Sequence, residues 1–113
     1  MAKEKTRKEL LKMYDGVGDF FEGLARAEKN GKQFHIRLDG TPAYKERYAE
    51  VENFHEERAV VRRKNGECFH ILPDGIPAYE ERFDSVGSFI GGLACAEKGG
   101  SDFLIDLDGT RVE

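Results

Sequence analysis

The sequence predicts a mainly β protein, three tandem β-meander or hairpin repeats of about 35 residues packed into one domain, with a short N-terminal α-helix. The first observation is internal. Residues 34–48, FHIRLDGTPAYKERY, return thirty-five positions later as FHILPDGIPAYEERF, identical at ten of fifteen positions. The second is a pair of turn signals in every copy: Asn30-Gly31, Asn65-Gly66 or Gly99-Gly100, then Asp39-Gly40, Asp74-Gly75 or Asp108-Gly109. Such pairs tolerate the positive φ that tight hairpin turns require. The third is Thr6 and Glu9 in capping-box spacing, with Leu10, Leu11 and Met13 as an apolar stripe.

The helix is expected over about 4–14, followed by repeats over about 14–47, 48–82 and 83–113 of a single domain spanning 1–113. In the first repeat a two-residue loop at Asn30-Gly31 sets Ala27 opposite Phe34 and Ala25 opposite Ile36, small against large. The third repeat gives Ala96 with Phe103 and Ala94 with Ile105 by the same rule. The second has one residue more. A three-residue loop, Lys64-Asn65-Gly66 with Gly66 left-handed, absorbs it and restores Val61 to Phe69 and Ala59 to Ile71. Two-residue loops at the Asp-Gly pairs would place Ala43 opposite Ile36, Val112 opposite Ile105 and Glu113 opposite Leu104.

One face of each meander is then apolar: Ala25, Ala27, Phe34, Ile36, Leu38 and Ala43, with counterparts in the other copies. A lone three-stranded unit cannot cover such a face, so the copies must share a core. Pro42 and Pro77 fit non-hydrogen-bonded positions and mark a sheet edge. The linkers read as extended or one-turn segments, because the glycines of VGDF and VGSF disfavour helix. The units are expected to stack in line, with the helix capping the open end.

Composition narrows the function. The net charge is −4, but residues 1–13 hold five basic and two acidic groups, leaving a body of −7 that repels phosphate. Nucleic acid is therefore not an expected partner. No apolar run approaches the roughly 18 residues of a membrane span, and the N-terminus lacks the apolar core of a secretory signal. No membrane partner and a cytoplasmic location are expected. Cys68 and Cys95 occupy unrelated places in their repeats, which suggests reduced strand residues.

The recurring Gly-Leu-Ala-x-Ala (Gly23–Ala27, Gly92–Ala96), after an aromatic Val-Gly-x-Phe and before a hairpin and Asp-Gly, resembles the bacterial WG repeats from about Tyr14 onward. The Trp-Gly pair is absent; its positions read Gln33-Phe34, Cys68-Phe69 and Asp102-Phe103, as in a branch lacking the tryptophan. The resemblance implies β-rich units that mediate interactions, and no catalytic residues to carry over.

The remaining chemistry gathers on repeated His and Tyr. His35 with Tyr44 and His70 with Tyr79 fall on the face away from the Phe/Ile core, near Arg47 and Arg82. Those six residues could form an aromatic recognition strip for a protein partner. Their other use is packing against the next repeat, which the apolar Leu104 at the third position favours. No metal or cofactor is expected, since the His and Cys lack paired ligand spacing. The Asp-Gly pairs lack a calcium-loop series, and no Lys-Ser or Lys-Thr follows the glycine-rich stretches. The chain reads as a non-catalytic interaction module, with a small ligand-binding protein or an enzyme sited between repeats as the alternative.

Overall fold

The computed structural model describes residues 3–113. Helix α1 (Arg7–Met13) starts where Thr6 caps it: the Thr6 hydroxyl accepts from the Glu9 amide and the Glu9 carboxylate accepts from the Thr6 amide. Leu10 is buried, whereas Leu11 and Met13 stay 47% and 37% exposed, so the apolar stripe narrows to one anchor.

Ten strands follow: β1 (Gly16–Phe21), β2 (Leu24–Lys29), β3 (Lys32–Ile36), β4 (Glu50–Val51), β5 (Ala59–Arg62), β6 (Cys68–Ile71), β7 (Ser85–Val86), β8 (Ala94–Lys98), β9 (Ser101–Ile105) and β10 (Arg111–Val112). They form three antiparallel sheets ordered β1-β2-β3, β4-β5-β6 and β10-β9-β8-β7. The linkers are extended, and each supplies the first strand of the next sheet. The first hairpins keep the expected register, Ala25 to Ile36, Ala27 to Phe34, Val61 to Phe69 and Ala96 to Phe103. Gly66, at φ +95°, closes the longer loop of the second copy.

The second hairpin differs by one residue. Its loop has three residues, because the Arg37 amide donates to the Thr41 carbonyl and the Gly40 amide to the Arg37 carbonyl, each at 2.9 Å. Ile36 therefore faces Pro42, Ile71 faces Pro77, Ile105 faces Arg111 and Leu104 faces Val112. An aspartate fixes the turn: Asp39 Oδ1 accepts from the Thr41 amide and Asp74 Oδ1 from the Ile76 amide. Pro42 still occupies a non-hydrogen-bonded place, since the Ala43 amide and the Arg37 amide carry the flanking bonds. Leu38 and Val112 leave the expected core, at 39% and 38% exposed.

Each linker belongs to two repeats. Tyr48 exchanges both backbone bonds with Gln33 of the first repeat, and two residues later Glu50 and Val51 pair with Arg62 and Val61 of the second. Phe83 does the same with Cys68 before Ser85 and Val86 join β8. Among the described residues no hydrogen bond joins the first repeat to the third, and the molecule measures 46 × 27 × 19 Å. The repeats thus stack in line.

The Asp-Gly turn is where one unit seats on the last. A Cβ on Gly75 would lie 2.4 Å from Tyr44 Cβ, and one on Gly109 would lie 2.6 Å from Tyr79 Cγ. At Gly40 the same place is filled from α1 by Leu10 Cδ2 at 3.1 Å. The helix thus caps the stack by putting Leu10 where later repeats put tyrosine. Gly75→Ala should therefore destabilise by roughly 3 kcal/mol or more, through strain at positive φ plus overpacking, while Gly31→Ala, with open space around it, should lose roughly 1 kcal/mol. Urea unfolding of the two variants checks the difference; equal losses would contradict the seating.

Candidate functional site

The six expected binding residues come together, the four rings in the interior and the arginines over them, with Arg47 exposed and Arg82 half-buried. His35 and His70 are 0% and 1% exposed, and Tyr44 and Tyr79 only 7% and 8%. This corrects the exposed strip. The face turned away from the Phe/Ile core is covered by the next linker, so β6 is buried at all four positions.

Bonding explains how polar rings are accommodated there. His35 Nε2 lies 2.8 Å from the Glu52 carbonyl and Nδ1 2.6 Å from the Tyr44 hydroxyl. A carbonyl only accepts, so Nε2–H donates to it, and Nδ1 accepts from the tyrosine O–H. His70 repeats this with the Gly87 carbonyl at 2.8 Å and the Tyr79 hydroxyl at 2.6 Å. The donating ring belongs to one repeat and the accepting carbonyl to the residue just after the strand that opens the next. Phe54 and Phe89, also from the following linkers, pack on the imidazoles with centroids at 4.5 and 4.3 Å.

Burial holds both imidazoles neutral, lowering their pKa values from 6.5 to about 4. It also pushes the Tyr44 and Tyr79 hydroxyls well above the usual phenol range. These groups have no proton to exchange near neutrality, and neither ring nitrogen is free for a metal ion.

Arg47 and Arg82 complete the seam. Each guanidinium lies 3.9 Å from a ring centroid, Phe34 or Phe69. Arg47 also donates to the carbonyls of Tyr44, Lys45 and Glu46 at 2.9–3.0 Å, and Arg82 to those of Tyr79, Glu80 and Glu81 at 2.8–3.1 Å. The linker is wrapped around the Nη1 of its own arginine, which fixes the course of the chain between repeats.

A second ladder escaped the sequence reading. The Glu22 carboxylate accepts from the Glu57 amide at 2.8 Å, and the Glu56 carboxylate accepts from the Gly91 and Gly92 amides at 2.6 and 2.9 Å. These bonds tie the tips of successive first hairpins together. The Gly92 and Gly91 amides hold the Glu56 carboxyl below its usual range. The tips therefore share one edge, along which Phe21, His55 and Ile90 recur at repeat spacing; all three are exposed, Ile90 by 73%. That spacing was the available signal. Cys68 is buried and Cys95 exposed, and both thiols are free. Among the described residues no three His, Cys, Asp or Glu side chains gather as metal ligands.

The buried histidines make stability depend on pH. Between about pH 6.5 and about 4 the unfolded chain binds protons that the folded chain does not, so stability falls as pH drops through that window. Each histidine accounts for on the order of 3 kcal/mol, full above pH 6.5 and lost by about pH 4. Chemical denaturation across this range should show the loss, and His70→Leu/Tyr79→Phe should roughly halve the histidine part of it. An unchanged slope in that variant would contradict the assignment.

No helix among the described residues is long and apolar enough to cross a membrane. No curated protein matches the chain. A family model described as WG containing repeat matches residues 5–32 and 82–101, the two segments that carry the Gly23–Ala27 and Gly92–Ala96 motifs. The match falls at two segments of a mainly β, three-repeat fold, covers less than half of the chain, and is consistent with a WG-repeat-like family.

Proposed function

We propose that this protein is a non-catalytic, repeat-built module that binds other proteins in the bacterial cytoplasm, without nucleic acid or membrane as partner. The observation that carries the reading is the use of its polar rings. Both nitrogens of His35 and of His70 are bonded, both tyrosine hydroxyls donate inward, and the two arginines hold backbone carbonyls. The groups best suited to acid-base or nucleophilic work are committed to packing, which supports a scaffold whose function lies on its surface.

The surface best formed for a partner is the edge bearing Phe21, His55 and Ile90. Apolar and aromatic groups at fixed spacing on a rigid frame suit a partner that meets several repeats at once. The Glu22 and Glu56 ladder holds that spacing without a partner present.

The test is affinity capture from a bacterial lysate with the intact chain and with Phe21→Ser/Ile90→Ser, both shown folded by circular dichroism. The expected result is a protein retained by the first and lost from the second. Identical capture by both would overturn the assigned edge. An absence of any retained protein would count against the interaction reading and favour a small ligand.

A further inference from the structure

In two of the three repeats the segment entering the repeat closes the first hairpin turn with a carboxylate. Asp15 Oδ2 accepts from the Asn30 amide at 3.0 Å, and Asp84 Oδ2 from the Gly99 amide at 2.9 Å. The second repeat has Ala49 at that place. The amides of Asp15, Ala49 and Asp84 donate to the carbonyls of Glu28, Arg62 and Glu97, so register makes Lys64 the counterpart of Asn30 and Gly99, each two residues further on. Among the described residues the Lys64 amide meets no acceptor.

The place left by the missing carboxylate opens into a cleft of about 520 Å³ between the first and second repeats, lined by both Ala49 and Lys64. Lys32, Arg47 and Arg63 surround it with Lys64, and Glu46 is its one acid, so four exposed basic groups face one acidic group. The same positions at the next junction hold Glu67, Arg82, Lys98, Gly99 and Glu81, with Asp84 in place of Ala49, two basic against three acidic. There Lys98 pairs with Glu81 at 3.8 Å. In the first cleft Arg63 alone has an ion pair among the described residues, an exposed contact of 4.0 Å with Glu67. Arg47 commits only its Nη1 to the linker carbonyls. A vacated carboxylate position ringed by unpaired cations is a site for an anionic group.

We propose that this cleft binds a short acidic segment of a partner protein, one Asp or Glu carboxylate of which takes the place that Asp15 and Asp84 fill in the other two repeats. The Lys64 amide donates to that carboxylate, and Lys32, Arg47, Arg63 and the Lys64 ammonium supply charge-assisted bonds around it. A carboxylate is favoured over a phosphate because the same frame holds a carboxylate at the two sister turns. The body beyond residue 13 carries a net −7, which turns long polyanions away and limits the acidic stretch to what the cleft itself can neutralise. The cleft lies at the opposite ends of β2 and β5 from the edge bearing Phe21, His55 and Ile90, so it is a separate contact. The inference rests on the reading that the chain binds proteins and gives the chemistry of one such contact.

NMR titration of the full chain with a tetra-aspartate peptide blocked at both ends, at low ionic strength, tests it. Saturable shifts should gather on the amides of residues 30–32, 46–49 and 63–65, with Lys64 among the largest. Ala49→Asp supplies the carboxylate from within and keeps all four cations, and it should weaken the peptide on the order of tenfold. Ser88→Asp adds the same charge at an exposed position outside the cleft and should weaken it by less than about twofold. Arg63→Gln/Lys64→Gln, which leaves Ala49 in place, should also lose on the order of tenfold. Absence of saturable shifts up to about 10 mM peptide, equal losses in Ala49→Asp and Ser88→Asp, or equally tight binding of inorganic phosphate or a thymidine oligonucleotide would each overturn the proposal. The titration needs no cellular partner, whereas lysate capture decides whether proteins are bound at all, so the two failures are told apart.

Discussion

An imidazole with no exposed surface must keep both ring nitrogens bonded and remain uncharged, and here that requirement joins one repeat to the next. His35 can be buried only because Tyr44 donates to one nitrogen and the Glu52 carbonyl accepts from the other. The tyrosine follows the ring by nine residues and the carbonyl by seventeen, just past the strand that begins the second sheet. Folding the second repeat therefore completes the polar interior of the first. The same dependence runs from His70 to the third repeat through Tyr79 and Gly87.

Other features follow from keeping these rings dry. Tyr44 must pass close to the Asp-Gly turn of the next repeat, which leaves no room for a Cβ at Gly75. The arginine three residues beyond each tyrosine gathers the linker carbonyls and covers the phenylalanine beside the histidine. The third repeat carries Leu104 at the histidine position, and Arg111, 4.6 Å from the Phe103 centroid, covers that ring. A fold made this way uses nearly all its aromatic chemistry internally.

Much of this was legible in the residues. Small residues opposite large ones fixed the first-hairpin register, and the extra residue in the second copy had only one loop that kept Arg62 away from Phe69. The second-hairpin register was not legible. Asp-Gly closes either a two- or a three-residue loop, and the choice rests on the aspartate bonding two residues ahead, as Asp39 does to Thr41. Alternation along β6 correctly put His70 on the face opposite Phe69, but alternation cannot say whether a face meets water or another repeat. Leu104 held that information, since an apolar residue in one copy marks the shared position as a packing one. The Glu22 and Glu56 ladder was hidden because its acceptors are backbone amides, which leave no mark in side-chain identity.

Heteronuclear NMR of the histidine side chains reads the protonation state of the two rings directly. His35 and His70 should both show the Nε2–H tautomer at neutral pH and resist protonation until about pH 4. Titration of either ring near pH 6.5 with the fold intact, or an Nδ1–H tautomer in either, would contradict it.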